Sequence, residues 1–347
     1  MSPWVYRAHP EQERGEHRRS SSPGLEGNEL KTPSRRALVI ATCLLVVAGV
    51  ILVGVRGCAF MPWNKSAAAT GTVSVTISKD FGASVIKDLR VRVKAGQTAM
   101  ELVKLVADVR TEYGGGLVSS IEGLSSSSGD TRSDWFYYVN GILSGTGAGS
   151  YQVRGGDNIW WDYHPWSGKN MASAVVGAYP MPFTRGLKEV VGRTAVVYGQ
   201  GMESLARKAG GFLEKGGARM AYSIDVAGFA KGGAPSIAFL TFEQAKSTPW
   251  AAGLLGKPGA GSYLTFQGER LVALDKDGNP DASAGDLVAA VVSCGSGIGD
   301  ASPVWLVMCG TGGTNAAGRL LSAGAAGLQG RFGVAVQADG HLISLPR

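Results

Sequence analysis

The residues of this 347-residue chain best suited to chemistry are aromatic. Trp135, Phe136, Tyr137, Tyr138, Trp160, Trp161, Tyr163 and Trp166 place eight rings within 32 positions. A flat ring with a polar edge offers a large contact area at low entropic cost, which suits a planar ligand or a carbohydrate. Successive side chains on a strand point to opposite faces, so Trp135, Tyr137 and Val139 share one face while Phe136 and Tyr138 share the other. Both faces cannot be core in a small single-sheet domain, so some rings are expected to meet solvent or a partner. On this reasoning Trp135, Tyr137, Tyr138, Trp160, Trp161 and Tyr163 are the candidate ligand-binding residues. The competing reading has the same rings filling a core and covering the next domain.

Other constellations carry less. Asn140-Gly141 tolerates the two positive φ angles of a type I′ turn, and Asp157 follows Gly155-Gly156 as a turn-maker. His164, beside Pro165 at a strand end, is expected to be exposed and without partners for metal ligation. The four His residues (9, 17, 164 and 341) are scattered and no CxxC or HxxxH spacing occurs, so neither a metal nor a cofactor is expected. Gly199-Gln200-Gly201 follows an apolar strand, but Ser204 stands where a dinucleotide turn needs a third Gly. Gly310-Thr311-Gly312-Gly313-Thr314-Asn315 has the look of an anion nest at a helix start. Both segments read better as tight strand-to-helix turns. No G-x-S-x-G elbow is present, and Cys294 would serve as a nucleophile only beside His164 or His341, so the chain reads as a non-enzyme. Cys294 and Cys309 are the only Cys pair beyond residue 58. They could bridge neighbouring strands as a disulfide or remain buried free thiols.

The elements that must position these residues follow from periodicity. Residues 71–77 alternate as a half-buried strand, with Val73, Val75 and Ile77 on one side, and a second strand runs over 89–93. Thr98 and Glu101 have capping-box spacing ahead of a helix over 99–109, whose Leu102, Leu105, Val106 and Val109 share a face. Strands over 117–124, 134–141 and 157–163 complete a small α+β domain at 71–166. After the Pro-containing connector 178–183, residues 178–347 alternate between strand and helix. Strands are expected at 194–199, 236–242, 287–294 and 303–309, helices at 202–215, 243–255 and 314–323, a hairpin at 262–275 and a last apolar segment at 332–345. The uninterrupted apolar strands 287–292 and 303–309 predict a sheet covered on both faces, in a mixed α/β layered domain.

Composition excludes several classes. The chain is 44% apolar and 18% charged, its 52 Gly show no Gly-X-Y period, and four Cys are too few for a disulfide-dense scaffold. The net charge of +7 is spread along the chain, not gathered into a stripe, which argues against nucleic acid. Residues 37–55 are 19 consecutive residues without a charge, and at ~1.5 Å per residue they reach ~28 Å, close to a bilayer's hydrocarbon core. Lys31, Arg35 and Arg36 precede the span while only Arg56 and Lys65 follow soon after, so the N-terminus is expected inside. The expected order is a disordered cytoplasmic tail (1–36), a transmembrane helix (37–57), a tether (58–70) and two domains (71–166 and 178–347) outside the cytoplasm. A cleaved signal peptide ending near Ala67 and Ala69 is an alternative, and so is acylation of Cys58, though Arg56 stands where a lipoprotein needs a small residue.

The run Trp135-Phe136-Tyr137-Tyr138-Val139-Asn140-Gly141, with Gly156-Asp157, Ile159, Trp161 and Tyr163, resembles the family DUF4430. Gly115-Gly116 ahead of Ser120-Ile121-Glu122-Gly123 resembles another segment of that family. The family is similar to the C-terminal β-domain of transcobalamin and intrinsic factor, and the resemblance covers residues 71–166. It implies a bacterial, extracytoplasmic module near vitamin uptake, with a corrinoid-like ligand and a transporter subunit as partners. Nothing in the chain resembles the α-helical barrel that completes the transcobalamin site, and 178–347 resembles no known family. The expectation is a membrane-anchored small-molecule binding or uptake-accessory protein. The alternative is an envelope scaffold whose aromatics dock its two modules.

Overall fold

The computed structural model describes residues 71–127, 132–166, 172–187, 192–257, 260–322 and 326–347. The predicted tail, transmembrane helix and tether, with Cys43 and Cys58, lie outside the described residues. Among the described residues no helix is long and apolar enough to cross a membrane. All of them belong to one compact unit of mixed α+β structure, rich in strands and sparing in helix.

The alternating residues 71–79 form β1 (Gly71–Lys79), which hairpins into β2 (Ser84–Val93). Thr98 then caps α1 (Ala99–Val106), and the reciprocal Thr98 and Glu101 bonds of the capping box are both present. The helix is shorter than its periodicity suggests: Ala107 turns extended, and Val109 opens β3 (Val109–Glu112). With β4 (Leu117–Ile121) and β5 (Leu124–Ser125), β3 makes a small antiparallel sheet of its own. β6 (Ser133–Val139), β7 (Ile142–Leu143) and β8 (Asn158–Pro165) return to the main sheet, whose order is β2-β1-β8-β6-β7. Asn140, at φ 52°, and Gly141, at φ 83°, form the expected left-handed turn between β6 and β7.

The short helix α2 (Met181–Thr184) leads to β9 (Thr194–Tyr198), α3 (Glu203–Lys215), β10 (Met220–Ser223) and β11 (Ser236–Thr241). The predicted helix over 243–255 is two short ones, α4 (Phe242–Ser247) and α5 (Pro249–Ala252), because Pro249 forces Thr248 out of the helical region. The hairpin β12 (Leu264–Gln267) and β13 (Arg270–Ala273) precedes β14 (Leu287–Cys294), β15 (Val304–Cys309), α6 (Gly313–Ser322), β16 (Gly333–Gln337) and β17 (Leu342–Leu345). The resulting seven-stranded sheet runs β10-β9-β11-β15-β14-β16-β17, parallel as far as β15 and antiparallel beyond.

This sheet is covered on both faces, as its uninterrupted apolar strands require. One face packs on α3 and α6 through Val196, Phe239, Val307 and Trp305. The other buries Ala238, Leu306 and Val292 beneath α4, α5, the β12–β13 hairpin and one face of the five-stranded sheet. Phe332 is the centre of that last contact, with ring centroids 5.4 Å from Tyr138, 5.3 Å from Trp160 and 5.4 Å from Phe81.

Candidate functional site

Strand alternation sorts the aromatic motif onto two buried faces. Trp135, Tyr137 and Trp161 join Val73, Val75 and Ile77 beneath α1, with Tyr137 stacked on Trp161 at 4.9 Å. Tyr138 and Trp160 point the other way, into the seven-stranded body. Trp135, Tyr137, Tyr138, Trp160 and Trp161 are all buried, so of the six candidate ligand-binding rings only Tyr163 keeps part of its surface in solvent. Both faces of the five-stranded sheet are covered because the seven-stranded body packs on the Tyr138 face. Tyr163 is half-buried, and its hydroxyl donates to the Ser125 carbonyl at 2.8 Å. Burial, reinforced by the Asp162 carboxylate, pushes the Tyr138 hydroxyl far above its ordinary range, so it stays a neutral donor to the Ala172 carbonyl.

Residue type alone does not mark two buried carboxylates inside this packing as sites. Asp162 is fully buried on the Tyr138 face. It accepts from the Phe81 amide at 3.0 Å, the Gly82 amide at 2.9 Å, the Ser78 hydroxyl and His164 Nδ1 at 2.8 Å. Asp80, Phe81 and Gly82 are successive left-handed residues at φ 56°, 58° and 80°. Such a run turns consecutive N–H groups toward one point and makes an anion nest, here filled by the protein's own carboxylate. Trp160 Nε1 extends the network by donating to Ser78 Oγ at 2.7 Å. His164, expected to be exposed, is buried between Phe81 and Phe136, each 4.4 Å from its ring, and its Nε2 has no partner.

Asp157 is the second. It accepts from Asn140 Nδ2 at 3.1 Å, Tyr151 Oη at 3.1 Å and the Arg154 amide at 2.9 Å, with Arg185 Nε at 3.4 Å. Asn140 also donates to the Gly186 carbonyl and accepts from the Asn158 amide. The two turn residues therefore tie the β6–β7 turn to the start of β8 and to the chain entering the second body.

The cysteines do not form a bridge; both are buried free thiols. In the β14–β15 pairing Cys294 faces Val304 and Cys309 faces Ala289, at opposite ends of the ladder. At ~3.3 Å per residue that is about 17 Å, against the ~4.4–6.8 Å between Cα atoms that a disulfide spans. They also lie on opposite faces of the sheet. Burial pushes both thiols up to about 12.

The glycine-rich segments are tight turns. A Cβ on Gly199 would fall 2.1 Å from Gln244 Oε1, and one on Gly313 would fall 1.9 Å from the Val288 carbonyl oxygen. Between the starts of α3 and α6 lies a shallow concavity of about 370 Å3, lined by Ser204, Lys208, Thr314, Asn315 and Arg319. Among the described residues no group of three or more His, Cys, Asp or Glu could hold a metal ion.

A larger cleft, of about 610 Å3, opens between the outer strands of the five-stranded sheet and the second body. Ser74 and Thr76 of β1, Val85, Asp88, Leu89 and Arg90 of β2, and Asn158 and Trp160 of β8 form one wall. Gly177, Ala178, Tyr179 and Met181, with Ala326, Gln329 and Gly330, form the other. Asn158 Oδ1 is without a hydrogen-bond partner, and among the described residues Arg90 forms no ion pair. Of the six aromatic candidates only Trp160 lines this cleft, and sequence reasoning points to none of its polar groups.

No curated protein matches the chain. Among solved structures, haptocorrin in complex with Cbi is similar at 20% identity and a TM-score of 0.24, covering 28% of this chain and 26% of that one. A protein from Ruminococcus gnavus ATCC 29149, named for a conjectured metal-binding role, is similar at 13% identity and a TM-score of 0.23, covering 28% of this chain and 99% of its own. This chain thus spans about a quarter of the haptocorrin chain. Residues 96–165, from the turn before α1 to the end of β8, match the family described as Domain of unknown function (DUF4430), the one that the aromatic motifs of 135–163 resemble.

Proposed function

We propose that this chain is a non-catalytic, membrane-anchored, extracytoplasmic binding protein that takes a small molecule into the cleft between β2 and the loops 177–181 and 326–330. The observation that carries the reading is the cleft itself. Its volume of about 610 Å3 falls within the ~300–1,000 Å3 usual for ligand sites. Its lining mixes Val85, Leu89, Tyr179 and Met181 with a few groups that can orient a ligand, namely Ser74, Thr76, Arg90 and the unpartnered Asn158 carbonyl. The anchor in this reading is the apolar run 37–55, which would hold the cleft beside a transporter subunit. Corrinoids and related vitamins are the first ligand class to test, because the family of the first sheet is similar to the transcobalamin β-domain.

The test is thermal melting of the full chain against a corrinoid and vitamin library. A ligand at about 100 times its Kd stabilises by about 2.7 kcal/mol, a readable rise in Tm. Gln329→Trp, which adds an indole to an exposed position in the cleft wall, should abolish the rise without lowering the ligand-free Tm. The burial of Tyr138 and Trp160 between the two sheets favours a second reading, an envelope interaction protein with no small-molecule ligand. A library without effect on wild type would favour it.

A further inference from the structure

β2 is an open edge. It pairs with β1 along its length, and among the described residues no strand pairs with its other side. Natural edges carry devices against further pairing: brevity, proline, a lysine over the edge, or a bulge. β2 is ten residues long and contains no proline. Its single lysine, Lys87, is drawn to the Val106 carbonyl at 2.8 Å and to Glu122 Oε1 at 2.7 Å. The one bulge, at Ile86, lies at the start of β2, where Ile77 pairs with Lys87 and Ser78 with Val85, and from Lys87 to Val93 the ladder is regular. Val85 and Leu89 are 54% and 41% exposed on this strand.

The order of charges along the edge is self-complementary in one register only. With a second copy of β2 laid antiparallel about a two-fold axis at Leu89, Leu89 faces itself and Asp88 faces Arg90 twice. Lys87 then faces Val91, at the end of the regular stretch. An axis at Lys87, Asp88 or Arg90 sets that residue's charge against its own copy, and an axis at Val91 sets Arg90 against Arg92. Opposite charges directly across an antiparallel pair are favourable and like charges unfavourable. Asp88 and Arg90 have no ion-pair partner within their own chain among the described residues.

We infer that the chain self-associates through β2 as an antiparallel two-fold pair centred on Leu89, joining two five-stranded sheets edge to edge. The surface is isologous, as a closed two-fold dimer requires. Asp88, Leu89 and Arg90 also line the cleft, but the pairing is read from the oligomeric state, with no ligand present.

Sedimentation of the full chain in detergent tests it by charge exchange. Asp88→Arg and Arg90→Asp each oppose like charges at two symmetric places and should weaken the dimer by about tenfold or more at unchanged Tm. The double exchange D88R/R90D should restore it. Leu89→Cys, with Cys43 and Cys58 replaced by Ser, should cross-link to its own copy on mild oxidation. A monomer at all concentrations, a dimer indifferent to either single exchange, a double exchange that does not restore it, or a Leu89→Cys variant that forms no cross-link each overturns the inference.

Discussion

Replacing Asp162 by Ala tests how the two sheets are joined. The carboxylate accepts from two backbone amides, a hydroxyl and an imidazole, all buried except the half-buried Gly82 amide. Each buried donor left unmade costs about 1–3 kcal/mol, although removal also relieves the desolvated carboxylate. The net loss should therefore fall below the sum, near the ~3–5 kcal/mol typical of breaking one partner out of a buried charged network. At roughly 2–3 °C per kcal/mol for a unit of this size, Tm should drop by about 6–15 °C. Guanidinium unfolding followed by Trp fluorescence reads the same quantity directly. Asp88→Ala, an exposed carboxylate with a single hydroxyl donor, should stay within about 0.5 kcal/mol of wild type. An Asp162→Ala loss under about 1 kcal/mol would show that the nest at 80–82 does not hold the hairpin, and the reasoning would fail.

Three further outcomes follow from particular groups. Burial pushes the Asp300 carboxyl up, but the Lys231 ammonium and the Ser296 and Ser302 amides outweigh it and hold it at about 2. Its folded value lies below the unfolded value of ~3.9, so its stabilisation is complete above pH ~4 and lost as pH falls toward 2. Acid titration of Tm should show a smaller loss across that window in Asp300→Asn than in wild type. Cys294 and Cys309, buried and pushed up to about 12, should resist iodoacetamide in the native protein at pH 8 and react only after unfolding, as read by mass spectrometry. Gly313→Ala sets a Cβ 1.9 Å from the Val288 carbonyl oxygen, and that backbone cannot move aside freely. It should cost about 1–3 kcal/mol or more in denaturant unfolding, whereas Gly211→Ala, on the open side of α3, should not destabilise.

What the sequence reveals of this molecule is what depends on neighbours along the chain. The capping box at Thr98 and Glu101, the alternation of Val73, Val75 and Ile77, and the Asn140-Gly141 turn are local, and all are realised. The unbroken apolar strands β14 and β15 announce a sheet covered on both faces, but not by what. The burial of Tyr138 and Trp160 depends on Phe332, far along the chain, and no periodicity carries that pairing. For the same reason Asp162 and His164 pass unnoticed among aromatic neighbours. Alternation from Trp160 does place both on its face, and a carboxylate and an imidazole on an aromatic face are a usable sign of a buried network. The cysteine separation depends on the register of β14 against β15, which the loop between them does not reveal. The cleft is assembled from three strands and two distant loops, so only its Trp160 could be suspected beforehand.

A ligand held in the cleft between β2 and the seven-stranded body would shield the backbone around it. The most direct measurement is hydrogen exchange of the full chain with and without a compound that raises its Tm. Exchange should slow in 74–76, 85–90, 177–181 and 326–330, the segments that line the cleft. Protection confined to other segments, or none at all while Tm rises, would contradict it.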